Sequence, residues 1–131
     1  PVSESYTAYK KILDIYKTDI QIFQYEDVFE LIKESDVVLT SATSTAGLIA
    51  LIMKKPIIIW NYFNVQGDLF IKEKIAMNCD EVSQIKDCLY SKNGFVQENE
   101  LIINEFITKW CGTGNAAQKI VDAVNDLASK N

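Results

Sequence analysis

Apolar and polar positions along this chain follow two periods, and the switches between them mark the elements. Residues 36–40, DVVLT, are a short apolar, β-branched run between polar residues, which predicts a buried strand. Ser41 to Thr45 is a small, hydroxyl-rich turn in which Thr43 or Ser44 can cap a helix by accepting a first-turn amide. Residues 45–54 are apolar on most faces, so the helix they form is expected to be buried. Pro56 then leads into a second apolar strand over residues 57–60. Strand, turn, helix and strand in this order are the building unit of parallel sheets. The two strands should therefore be parallel neighbours bridged by the helix. The turn between strand and helix lies outside the carboxyl ends of the strands, where such sheets take their ligands.

The flanking chain continues the alternation. Helical spacing of Tyr6, Tyr9, Ile12, Leu13, Ile15 and Tyr16 predicts a helix over 6–17 whose tyrosine stripe packs in the core. Residues 20–25 read as a strand. A helix over 26–34 follows, with Val28, Phe29, Leu31 and Ile32 inward and acidic residues in its first turn to suit the helix dipole. Residues 61–68 read as a polar and aromatic loop, 69–74 as one helical turn, and 75–77 as a last short strand. A helix from 80 or 81 to about 90 carries Val82, Ile85, Cys88 and Leu89 on one side. Asn93-Gly94 is a turn signal that should end the sheet-forming part. Two helices then close the chain. One spans 98–110 with Leu101, Ile102, Phe106 and Trp110 inward; the other follows Gly112 and Gly114 and is capped by Asn115.

This order predicts a single α/β domain over 1–131, a parallel sheet between layers of helices, with helices 98–131 appended. Only four strands are expected and a helix comes first. That suggests a piece of a larger doubly wound fold lacking its first strands; an intact four-stranded domain is the alternative.

Composition narrows the function. Hydrophobic residues make up 48% of the 131, enough for a real core. Thirteen basic and 18 acidic residues give a net charge of −5 without a basic run, so nucleic acid and anionic membranes are poor partners. The chain has no histidine and no arginine, so neither an imidazole base nor a guanidinium clamp can come from it. Cys79, Cys88 and Cys111 are odd in number and widely spaced, which reads as reduced thiols in the cytoplasm and not as a zinc site. No apolar run is long enough for a transmembrane helix, so an integral membrane protein is not expected.

The strongest chemical candidate is the turn Thr43, Ser44, Thr45, Ala46, Gly47. A helix N-terminus offers unpaired amides and the positive end of the dipole, and small residues let phosphate oxygens approach. Plain N-capping explains the same residues. Neither GxGxxG nor a P-loop lysine is present. Asn61, Asn64 and Gln66 follow a strand and are possible sugar or nucleoside contacts, or a solvated loop. Glu26 and Asp27 follow a strand end, where they could face the cleft, and read rather as capping residues; Trp60 and Trp110 read as core, and Gly112 with Gly114 as a helix stop and turn in preference to half a phosphate loop.

Residues 35–59, SDVVLTSATSTAGLIALIMKKPIII, resemble the C-terminal domain of GT-B fold glycosyltransferases and of UDP-N-acetylglucosamine 2-epimerase-like enzymes. That superfamily shows a strand, a Ser/Thr/Gly-rich turn, a "GLEA" helix, Gly-Lys-Pro and a strand. FIKEKIAMNCDEVSQIKDCL and GTGNAAQKIVDAVNDL are similar to its next strand and helix and to its closing helix. The resemblance implies a Rossmann-like nucleotide-sugar-binding domain whose turn, here residues 43–46, holds the diphosphate of a UDP-linked donor. It also implies a role in cell-envelope polysaccharide synthesis, no other cofactor, no metal, and a separate N-terminal acceptor domain. Catalytic residues are not visible here, and the chain alone is expected to be inactive. Two positions depart from the pattern. The glutamate that holds the donor ribose is Ile49, and the glycine before the lysine is Lys54. The competing expectation is a non-catalytic flavodoxin-like module that binds a protein partner.

Overall fold

The computed structural model describes residues 6–41, 44–61, 68–112 and 114. In chain order the elements are α1 (Tyr6–Tyr16), α2 (Val28–Glu34), β1 (Val38–Thr40), α3 (Thr45–Ile52), β2 (Ile57–Trp60), α4 (Leu69–Lys72), β3 (Met77–Cys79), α5 (Val82–Glu98) and α6 (Glu100–Trp110). The three strands form a parallel sheet in the order β1-β2-β3. Val38 pairs with Ile57 and Thr40 with Ile59, while Ile58 pairs with Met77 and Trp60 with Cys79. The expected parallel pair bridged by a helix is therefore present.

Alternation along β2 divides the core in two, because successive side chains of a strand point to opposite faces. Ile57 and Ile59 face a cluster with Ile32 of α2, Ile49 and Leu51 of α3, Phe70 of α4, and Ile103 and Phe106 of α6. Ile58 faces the other way, with Met77 and Cys79, against Ile85, Cys88 and Phe95 of α5. Helices thus cover both faces of the sheet. Each of the three isoleucines is at most 1% exposed, and such burial is worth roughly 1.5–3 kcal/mol per side chain.

Three helices stop in the same way. After α3, the Lys54 amide donates to the Leu51 carbonyl at 2.9 Å and the Lys55 amide to that of Ala50 at 2.8 Å. After α4, Lys74 donates to Ile71 at 3.1 Å and Ile75 to Phe70 at 2.9 Å. After α1, Lys17 donates to Asp14 and Thr18 to Leu13. This is the Schellman motif, which needs a left-handed residue just beyond the helix and commonly uses glycine. Here a lysine stands at each, with φ of 48° at Lys17 and 56° at both Lys54 and Lys74. Lys54 thus holds a backbone conformation that glycine commonly takes.

Several expectations are corrected. Residues 20–25 are not a strand: 20–23 pair with no other strand among the described residues, and the chain bends at 24–26, where the amides of Gln24 and Tyr25 donate to Glu26 Oε2 at 3.0 and 3.1 Å. The last strand lies two residues later than expected, because Ile75 is spent closing α4. Asn93-Gly94 does not end a helix. α5 runs through it, held by Phe95 on the sheet; that tertiary contact outweighs a glycine cost of about 1 kcal/mol.

Burial is also narrower than the apolar pattern suggests. α1 buries none of its residues, and Tyr6, Tyr9 and Tyr16 are exposed instead of packing in the core. Of α2's apolar side only Ile32 is buried, with Val28 and Phe29 exposed. Val82, Leu89, Leu101, Ile102 and Trp110 are exposed too; the inward faces are Ile85, Cys88 and Phe95 on α5 and Ile103 and Phe106 on α6. Trp60 is half-buried against the second cluster. The helix expected after Asn115 lies outside the described residues, as do Thr43, Asn64 and Gln66.

Candidate functional site

β1 delivers its carboxyl end to the turn, and α3 begins there. Ser44 is the N-cap, in extended backbone, and its Oγ accepts from the Gly47 amide at 3.1 Å. The same Oγ lies 2.9 Å from Thr40 Oγ1, which ties the cap to the last residue of β1. With Gly47 satisfied by Ser44, the amides of Thr45 and Ala46 open the helix with no carbonyl one turn back to accept them. They carry the positive end of the dipole of an eight-residue helix.

Gly47 has a second constraint. A Cβ built there would meet Cε2 of Phe70 at 2.7 Å. Phe70 is 1% exposed and cannot swing away, so α4 packs on α3 only because residue 47 has no side chain.

Beside the cap lies a cavity of about 350 Å³. Ser44 and Thr45 line it on one side, and Phe70, Phe106 and Trp110 are among its apolar lining. The Phe106 ring meets Phe70 edge-on at 5.9 Å between centroids and lies tilted against Trp110 at 5.9 Å. Trp110 is 54% exposed, so one aromatic side chain of this lining faces solvent. The sequence placed Trp110 in the core and gave no sign that α6 would reach the turn.

At the ends of β2 and β3, Asp80 clamps two asparagines. Asn61 Nδ2 donates to Asp80 Oδ1 at 3.0 Å, and Asn78 Nδ2 donates to Oδ2 at 2.9 Å. The Asp80 and Glu81 amides both donate to Gln84 Oε1, at 2.8 and 3.1 Å, which starts α5. Asn61 is therefore buried and engaged with Asp80 at the carboxyl edge of the sheet. Asp68 caps α4, accepting from the Phe70 and Ile71 amides at 2.9 and 3.2 Å. Ile49 is 8% exposed and belongs to the first core cluster.

Asp27 caps α2 through a 2.8 Å bond from the Phe29 amide, as its sequence position suggests. The Tyr25 amide, with those of Glu26 itself and Gln24, holds the Glu26 carboxyl below its ordinary range. Burial pushes the Cys79 and Cys88 thiols up. Among the described residues no cluster of three or more His, Cys, Asp or Glu side chains forms a metal site, and no helix is long and apolar enough to cross a membrane.

Comparison with models of known families, with curated proteins and with solved structures finds no match to this chain.

Proposed function

We propose that this chain is the nucleotide-sugar donor-binding part of a glycosyltransferase of the GT-B type or of a UDP-N-acetylglucosamine 2-epimerase-like enzyme, working in cell-envelope polysaccharide synthesis. The observation that carries the reading is the start of α3: an N-terminus with open amides at Thr45 and Ala46, set at the carboxyl end of a parallel strand and beside an aromatic-lined cavity. The diphosphate of the donor would sit on those amides, which steady the negative charge that builds on the leaving group. Phe106 and Trp110 would flank the rest of the nucleotide. A second domain supplies the acceptor site and the catalytic base, so the isolated chain is inert. The resembled family's ribose carboxylate is replaced by Ile49, buried in the core. Its loss costs about 1.5–3 kcal/mol, roughly tenfold to a hundredfold in affinity.

The test is a titration of the chain with uridine diphosphate, followed by amide NMR and calorimetry. Shifts should centre on Thr45 to Gly47. Thr45→Pro removes one open amide at the first helical position, where proline is tolerated, and Ser44 has the extended backbone (ψ 160°) that precedes proline. Binding should weaken while the fold survives. Equal affinity for both proteins would refute the site. A second reading, a module that binds a protein partner, is favoured by α1, which leaves Tyr6, Tyr9, Ile12, Ile15 and Tyr16 exposed. It would be preferred if uridine diphosphate leaves the turn unperturbed.

A further inference from the structure

Two of the three cysteines meet between the sheet and α5. Cys79 ends β3, is 0% exposed, and faces α5 from the sheet. Cys88 lies on α5, half-buried, and packs on the same cluster. Its thiol donates to the carbonyl of Asn78, the residue before Cys79, at 3.8 Å, while the Cys79 thiol donates to Glu81 at 3.2 Å. Both side chains thus lie in one packed cluster between the sheet and α5. Cys111 sits apart, at the C-cap of α6.

From this juxtaposition we propose that Cys79 and Cys88 are a dithiol that closes to a disulfide when a small-molecule disulfide such as oxidised glutathione is present. The half-exposed Cys88, as thiolate, attacks one sulfur of the oxidant and expels one glutathione thiolate, leaving a mixed disulfide. Cys79, as thiolate, then attacks the Cys88 sulfur and expels the second glutathione. Two protein thiols lose two protons and two electrons, and one oxidised glutathione becomes two reduced. The bond fixes α5 to β3 next to Asp80, which clamps Asn61 and Asn78 at the sheet's carboxyl edge. Burial pushes both thiols further above the ordinary cysteine range, so closure is slow at neutral pH and quickens in alkali.

The experiment incubates the folded 131-residue chain with oxidised glutathione at mildly alkaline pH, followed by acid quenching, intact mass and tryptic mapping. The expected product joins the peptide ending at Lys86 to the peptide beginning at Asp87 with the loss of two hydrogens at that pair, leaves Cys111 out of the bond whether or not it carries a glutathione of its own, and melts at a higher temperature than the reduced chain. Cys79→Ser should stop at the mixed disulfide on Cys88, with one glutathione on the peptide beginning at Asp87. Cys88→Ser should leave the buried Cys79 unmodified. A bond that includes Cys111, a mixed disulfide that persists on Cys88 of the unsubstituted chain, or closure only after unfolding in guanidinium would overturn the proposal.

Discussion

Lys54 gives the sharpest test of how the fold is encoded. Its φ of 56° lies in the left-handed region, where a side chain costs roughly 1–2 kcal/mol because Cβ crowds the following carbonyl. Lys54→Gly removes that cost but frees the unfolded chain, which returns roughly 0.4–1 kcal/mol of it. The substitution also removes the contact from Lys54 Nζ to Glu100 Oε1. At 3.7 Å, with both side chains more than 60% exposed, that pair contributes little. The net expectation is a gain of about 0.5–1 kcal/mol, seen as a higher urea midpoint at unchanged slope. Lys54→Ala is the control: it loses the same ion pair and keeps Cβ, so it should gain nothing. If the glycine and alanine variants unfold at the same midpoint, the left-handed strain is not real and the assignment of Lys54 to a Schellman position fails.

Two further outcomes follow from the packing and the thiols. Gly47→Ala drives a methyl into the Phe70 ring and should cost about 1–3 kcal/mol, whereas Gly94→Ala, exposed in α5 with nothing near its added Cβ, should gain about 0.5–1 kcal/mol; denaturant melts of both test the contrast. Stability should fall as pH rises above about 8.5, the ordinary cysteine value. The folded chain holds the Cys79 and Cys88 protons above that point while the unfolded chain releases them, so the contribution is complete below it and lost as pH climbs through the raised values. A Cys79→Ala, Cys88→Ala double variant should show a flatter profile.

The central unit was legible in the sequence because it is dense in strong signals. An apolar β-branched run, a hydroxyl turn and a second apolar run leave few alternatives, and the Ser44 cap is one of the two residues the pattern offered. What failed was burial. Tyr6, Tyr9 and Tyr16 have helical spacing, and they do form a helix, but periodicity says that one face is apolar and not that anything covers it. Residues 20–25 have strand composition, yet Glu26 takes two of their amides locally, a competition that β propensity does not register. Asn93-Gly94 is helical because Phe95 reaches the sheet. The aromatic lining beside the turn comes from α4 and α6, far along the chain, and only the fold brings them there.

The division of burial between α1 and β2 sets how the molecule opens. The middle strand is paired on both sides and its isoleucines are shut in by helices on both faces, so its amides can exchange with solvent only when the whole sheet comes apart. α1, with eleven residues, has no buried side chain, and an isolated helix of that length is marginal in water. Its opening is expected to cost less than global unfolding. A probe placed on α1 would report local fraying, and only one on β2 would report the stability of the fold.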